Sequence, residues 1–200
     1  MELFPEWFLS HLLELDTHPI FQELTQVFQL LVGSAKAQVP VCVHRDYHSR
    51  NLMPLRDGGL GVIDFQDAVI GPITYDLVSL LRDSYIDWPD EQVYQWVEDY
   101  RLQLLTAGFS VPDSDHFKKD FDLMGMQRQL KVLGIFSRLY LRDGKSGYLK
   151  DIPRTFNYLL NAARRYSEFS NFAQQLESLK PLMAGHPKLG AYLRQDRATA

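Results

Sequence analysis

The sequence predicts an α+β fold that is mainly helical and has one small β-hairpin. Most of the chain repeats apolar residues at helical spacing, whereas the strand signals are confined to residues 41–63. The chain has 200 residues, of which 46% are hydrophobic, so it can bury a sizeable core. We therefore expect one domain over residues 1–200, with the functional segment at residues 41–76.

Two amphipathic helices are predicted at the start of the chain. Thr17, His18 and Pro19 predict the start of the second helix, because proline is favoured in a first helical turn, and Gly33 predicts its end. Core packing explains the broad apolar face of residues 1–16, which consists of Leu3, Phe4, Trp7, Phe8, His11, Leu12 and Leu15.

The strand signals form a short buried strand and a hairpin. Val41–Val43 is an apolar run typical of a buried strand. Leu52–Leu55 and Leu60–Ile63 flank the turn-forming residues Arg56–Gly59, which predicts a hairpin. The hairpin returns the chain to the loop that follows the first strand.

The remainder of the chain is predicted to be helical. Gly125 and Gly134 lie inside the longest of these helices, where we expect them to allow close packing. Arg142–Tyr148 is predicted to be a polar loop. The predicted helices cover Leu77–Leu81, residues 91–107 and 112–140, and stretches around Arg154–Arg165, Phe169–Leu182 and Lys188–Arg194.

The loop after the first strand has the spacing of a phosphoryl-transfer site. Asp46 lies two residues after His44, and Asn51 lies five after Asp46, as in the catalytic loop of protein kinases. In that pattern the Asp orients the substrate hydroxyl and the Asn binds magnesium. The hairpin should bring Asp64 beside Asn51, which makes a hard oxygen site suited to Mg²⁺ carrying ATP. The alternative is that Asp46 and Asp64 only cap turns.

Three features separate this segment from protein kinases. Gln66 takes the place of the Gly in the Asp-Phe-Gly motif, which argues against flipping of that segment. Gly71 follows Asp64 so closely that no peptide platform or regulatory phosphosite fits between them. His48 stands where protein kinases usually have a Lys, and its imidazole could contact the transferred phosphoryl group.

The motifs Asp46-x-His48-x-x-Asn51, Ile63-Asp64-Phe65 and Gly71-Pro72-x-x-Tyr75-Asp76-Leu77 resemble those of the aminoglycoside-phosphotransferase-like family of small-molecule kinases. The resemblance implies a protein-kinase-like C-terminal lobe that uses ATP and Mg²⁺. Asp46, His48, His44 and Arg45 are then the catalytic candidates, and Asn51 and Asp64 the cofactor and metal ligands. Asp76 would brace the catalytic loop; the alternative is an ordinary acid at a helix N-terminus.

The resemblance also concerns the substrate. Residues 1–9 and 133–148 are similar to a bacterial branch of the family that phosphorylates the anomeric hydroxyl of N-acetylmuramate and N-acetylglucosamine in cell-wall recycling. Candidate substrate residues are Asp67, Asp83, Asp87 and Trp88, although a solvated helix start also explains the last three. Other substrates remain open: an aminoglycoside, choline, homoserine or a methylthio-sugar.

The expected kinase is incomplete in this sequence. No Gly-rich loop over the phosphates or strand Lys is recognisable, so we expect the N-terminal β-lobe to be missing and this span alone to be inactive. The exposed lobe interface predicts self-association or a partner chain. A non-catalytic binding module is the alternative from another class.

Composition excludes several other classes of protein. The net charge of −4 argues against nucleic-acid binding, and the single Cys42 cannot form an internal disulfide. No signal peptide or long apolar run is recognisable. We therefore expect a cytoplasmic protein without membrane spans.

Overall fold

The computed structural model describes residues 1–16 and 21–196 and is 66% helical, which confirms a mainly helical fold with small sheets. The predicted helix start at residues 17–19 lies outside the described residues. The helices are an N-terminal π-helix (Phe4–Leu12), α1 (Phe21–Ala37), α2 (Tyr75–Leu81), α3 (Asp90–Thr106), α4 (Ser114–Leu141), α5 (Ile152–Arg165), α6 (Ser170–Gly185) and α7 (Leu189–Asp196). The strands are β1 (Pro40–Val43), β2 (Leu52–Pro54), β3 (Leu60–Val62) and β4 (Val69–Pro72).

The strands form two antiparallel pairs. The predicted hairpin is confirmed, since β2 pairs with β3 and Leu52 lies opposite Val62. β4 was not predicted; it pairs with β1 so that Val43 lies opposite Val69. The expectation that β1 is buried throughout is wrong, because Cys42 is exposed and only Val43 is fully buried.

The chain divides into two compact units, one of them formed by Val32–Gly125. This unit contains both strand pairs, and its core is built around α2, α3 and the first half of α4. The prediction of one domain over residues 1–200 stays a prediction. The core residues are Ile73, Val78, Leu81, Val93, Val97, Leu104, Phe117, Phe121 and Met124.

The other unit comprises Met1–Leu31 and Met126–Ala200. In it the ring of Phe8 lies 5.3 Å from that of Phe4 and 6.1 Å from that of Phe156. The face predicted for residues 1–16 is partly wrong, because the π-helix has more residues per turn than an α-helix. Leu9 and Leu13 are buried there, whereas His11 is exposed.

Two predicted boundaries differ from the structure. Helix α1 runs through Gly33 to Ala37, because a glycine inside a helix costs only about 1 kcal/mol relative to alanine. The loop predicted at Arg142–Tyr148 gives way to a 3-10 helix at Ser146–Asp151.

Gly134 shows the close packing predicted for it. A Cβ atom on this residue would lie 2.4 Å from the backbone carbon of Leu3. We expect Gly134→Ala to lower the free energy of unfolding by about 3 kcal/mol, because the backbone of Leu3 would have to move. Chemical denaturation measures this change.

Gly33→Ala is the matched control for this prediction. Its Cβ would meet no atom within 4 Å, and Gly33 also lies inside a helix. The substitution should therefore raise the free energy of unfolding by about 0.5–1 kcal/mol. If both variants unfolded like the parent protein, the close approach at Gly134 would be wrong.

Candidate active site

The loop between β1 and β2 starts from a well-anchored strand end. Val43 is buried and is the last residue of β1, so the position of His44 is fixed by the strand pair. Arg45 has φ 76°, in the left-handed region that non-glycine residues rarely adopt. Such a conformation persists only where neighbouring contacts hold it, which is common at functional sites.

Asp76 holds the first part of this loop. Its carboxylate accepts hydrogen bonds from the backbone N–H of His44 at 2.6 Å and of Arg45 at 3.0 Å. The Ser79 hydroxyl lies 3.5 Å from the backbone oxygen of Arg45, to which it donates. Asp76 also lies in the first turn of α2. Burial raises the pKa of the Tyr100 phenol, and the negative charge of Asp76 raises it further.

Asp46 presents its carboxylate to solvent. Its side chain is exposed, and within residues 1–16 and 21–196 the structure shows no hydrogen bond to it. Its backbone oxygen instead accepts from the His48 N–H at 3.0 Å and the Asn51 amide at 2.9 Å. The loop is therefore held through the Asp46 backbone, and the carboxylate stays available to a ligand.

Asn51 and Asp64 lie side by side. The Asn51 amide nitrogen lies 3.5 Å from an Asp64 carboxylate oxygen, and the Ile63 N–H donates to the Asn51 backbone oxygen at 3.1 Å. Asp64 has φ 68°, another left-handed residue in the site. Gln66 donates to the second Asp64 oxygen at 2.6 Å, so the residue that replaces the motif glycine orients this carboxylate.

The donor set fits a magnesium ion. Because the Asn51 nitrogen donates to Asp46 and Asp64, its amide oxygen is left to accept or to bind a cation, beside the exposed Asp64 carboxylate. Mg²⁺ in nucleotide sites takes one or two protein oxygens and completes its shell with phosphates and water. In the described part of the chain, no group of three or more His, Cys, Asp or Glu residues could hold a metal.

The other predicted catalytic residues contact the protein itself. His44 Nε2 lies 3.0 Å from the backbone oxygen of Ile63, and Arg45 donates to the backbone oxygen of Asp67 at 3.4 Å. The His48 ring packs edge-on against Tyr85 with centroids 5.9 Å apart. These side chains support the loop in this structure, and any direct catalytic contact they make stays a prediction.

The candidate substrate residues divide into exposed and buried groups. Asp67 and Asp87 are exposed, and Trp88 is 37% exposed with its ring 5.1 Å from that of Trp96. Asp83 does not fit a substrate contact, because it is only 3% exposed and its carboxylate is taken up by Ser49 and Tyr85. The roles of Ser49, Ser79 and Tyr85 were not predicted, because their partners lie far away along the chain. The contact of Gln66 with Asp64 was also not predicted, because a spacing of two residues does not by itself indicate a hydrogen bond.

An exposed apolar surface adjoins the site. Phe65 is 68% exposed and Ile70 is 72% exposed, and several further apolar residues of the same segment are exposed with them. We use the name hairpin surface for the exposed apolar residues of the β2–β3 hairpin, of the segment that follows it and of β4. Its members are Met53, Leu55, Leu60, Val62, Ile63, Phe65, Val69 and Ile70.

The chain is similar to known phosphotransferases. The model of a phosphotransferase enzyme family matches residues 2–110. N-acetylmuramate/N-acetylglucosamine kinase of Neisseria meningitidis is 49% identical over 85% of this chain and 51% of that protein. The proteins of the same name from Pseudomonas putida and Pseudomonas aeruginosa are 45% and 44% identical over 90% of this chain and 53% of each relative.

Two further facts concern the extent of the chain. It spans about half the length of the curated relatives that it matches. No helix within the described residues is long and apolar enough to cross a membrane.

Proposed function

The chain belongs to the phosphotransferase enzyme family, and from this premise we propose that the complete protein is an ATP-dependent kinase of N-acetylmuramate and N-acetylglucosamine. Relatives at 44–49% identity carry that name, which supports this substrate over aminoglycosides, choline or homoserine. The observation that carries the proposal is an exposed Asp46 carboxylate on the loop that also carries Asn51, whose amide is paired with Asp64.

In the proposed reaction Asp46 orients the anomeric hydroxyl of the sugar and takes up its proton. The hydroxyl oxygen then attacks the γ-phosphorus of ATP in line, and ADP leaves. Asp46 suits this role because its carboxylate is exposed while its backbone oxygen keeps the loop in place. Asp76 contributes by fixing the backbone of His44 and Arg45, the two residues that directly precede Asp46.

Asn51 and Asp64 would hold the magnesium ion that accompanies ATP. When bound, the ion neutralises charge on the phosphate oxygens. Gln66 keeps the Asp64 carboxylate oriented through its hydrogen bond, and the Asn51 amide is held by Asp46. Together these contacts hold the metal-binding oxygens of Asn51 and Asp64 in place. Preorganised positioning of this kind is the main way in which enzymes catalyse phosphoryl transfer.

We propose that the rest of the nucleotide site lies outside these 200 residues, in an N-terminal lobe of the complete protein. One support is that the chain matches only about half the length of its relatives. The other is the hairpin surface, because exposed apolar patches commonly mark a site where another part of a protein binds. The chain alone should then show little turnover and a tendency to self-associate. A cytoplasmic location, where ATP is available, is part of the same proposal.

A substrate panel tests the proposed function. The complete protein is given ATP, Mg²⁺ and each candidate substrate, and ADP release is measured together with ³¹P NMR of the product. We expect turnover of both amino sugars to their 1-phosphates and none of choline, homoserine or kanamycin. The methyl glycoside of N-acetylglucosamine is the matched control, because its anomeric oxygen is blocked. Equal turnover of that glycoside, or preference for another substrate class, would contradict the proposal.

A further inference from the structure

A second anchor holds the middle of the catalytic loop. Asp83 lies just after α2, and one of its carboxylate oxygens accepts hydrogen bonds from the Ser49 N–H at 3.1 Å and the Ser49 hydroxyl at 2.6 Å. The other oxygen accepts from the Tyr85 N–H at 3.0 Å. Because Asp83 is only 3% exposed, these charge-assisted hydrogen bonds are shielded from water.

Tyr85 contacts the two residues on either side of Ser49. Its ring packs against the edge of the His48 ring at 5.9 Å, and the Arg50 guanidinium lies 3.4 Å from its centroid. Three consecutive loop residues are therefore held by Asp83 and Tyr85. A stacked guanidinium and a buried carboxylate therefore both restrain this stretch.

The held stretch connects the two key groups of the site. Asp46 precedes it and Asn51 follows it, and the Asn51 N–H donates to the His48 backbone oxygen at 2.9 Å. A shift of Ser49 must therefore move Asn51 relative to Asp46. Asp76 does not supply this restraint, since its hydrogen bonds go to His44 and Arg45.

We propose that Asp83 is a positioning residue that acts through Ser49 to hold the Asn51 amide at the cation site, with Tyr85 as its second contact. This inference rests on the proposed function, because it assigns a cation to Asn51 and Asp64. Removing partners that orient metal ligands typically weakens metal affinity by 10–100-fold. Loss of the Asp83 contact should therefore weaken cation binding more than sugar binding.

The test uses the complete protein and two readouts. Mn²⁺ binding in the presence of a non-hydrolysable ATP analogue is followed by electron paramagnetic resonance, and the Mg²⁺ concentration for half-maximal turnover is measured beside the KM for sugar. We expect Asp83→Asn to raise the Mn²⁺ Kd and the Mg²⁺ requirement by about tenfold, while the KM for sugar changes less than about threefold. Ser49→Ala should shift both cation readouts in the same direction, and Ser49→Thr, which keeps the hydroxyl, should restore them.

Asp122→Asn is the matched control. Asp122 is also buried and accepts hydrogen bonds from the Tyr94 hydroxyl at 2.7 and 3.0 Å, but these bonds join α4 to α3, not to the catalytic loop. Equal cation shifts in Asp83→Asn and Asp122→Asn would overturn the proposal, since they would reflect lost stability alone. If Asp83→Asn does not fold, the Ser49 pair decides: parental values for Ser49→Ala overturn the proposal. If the complete protein does not phosphorylate the sugars but Asp83→Asn still raises the Mn²⁺ Kd, only the proposed substrate is rejected.

Discussion

Asp46→Asn is expected to lower kcat of the complete protein by about 100- to 10,000-fold, the usual contribution of a general base. This corresponds to roughly 3–5 kcal/mol of transition-state stabilisation. KM for ATP and sugar should change little, because in the proposed reaction the carboxylate acts on the reacting hydroxyl. Steady-state kinetics with N-acetylglucosamine measures the effect.

We expect Asp46→Asn to leave the conformation of the loop unchanged. The loop is held through the Asp46 backbone oxygen, which Asn also provides, so the melting temperature should stay the same. Asp115→Asn is the control, since Asp115 is an exposed acid in the first turn of α4, away from the catalytic loop in sequence. Turnover within about threefold of the parent in Asp46→Asn would remove Asp46 from the proposed mechanism.

The parts of the fold that could be predicted depend on neighbouring residues. The hairpin followed from its turn, where Gly58 adopts φ 83° as the turn requires. Helix α3 followed from apolar periodicity, and its bounds match the prediction to within one residue. In both cases the signal is local, so it is visible in the sequence.

The missed features depend on contacts that are distant in sequence. β4 includes Gly71 and Pro72, poor strand formers, and it forms a strand because β1 provides a partner. The acidic and aromatic loop makes Asp83 a candidate substrate residue, with a solvated helix start as the alternative, but its partner Ser49 lies 34 residues earlier. Only the folded chain shows that the same loop holds the catalytic loop instead.

In the candidate site, too, the features set by neighbouring residues could be predicted and those set by distant contacts could not. The spacing of Asp46 and Asn51 could be read along one loop, and the hairpin predicted where Asp64 would lie. The side-chain contacts of His44 and Arg45 could not be predicted in this way. Their side chains contact the backbone at Ile63 and Asp67, about 20 residues away, and such contacts leave no pattern in the sequence.

Asp64→Asn is expected to reduce kcat/KM by about a thousandfold, because the variant loses a negative ligand from the proposed magnesium site. The fold should survive, since Asp64 is exposed and an amide oxygen can still accept from Gln66. Kinetics over a range of Mg²⁺ concentrations, together with Mn²⁺ binding, measure the change.

Comparison of the two variants separates the proposed roles of Asp46 and Asp64. Asp64→Asn should weaken Mn²⁺ binding, and excess Mn²⁺ should partly restore its turnover, because the lost group binds the cation. Asp46→Asn should bind Mn²⁺ like the parent and should not recover, because the lost group acts on the sugar hydroxyl. If instead Asp46→Asn weakened Mn²⁺ binding and Asp64→Asn did not, Asp46 would be the metal ligand and Asp64 the residue that acts on the sugar hydroxyl. Identical Mn²⁺ binding in the parent and both variants would show that the paired oxygens of Asn51 and Asp64 do not form the cation site.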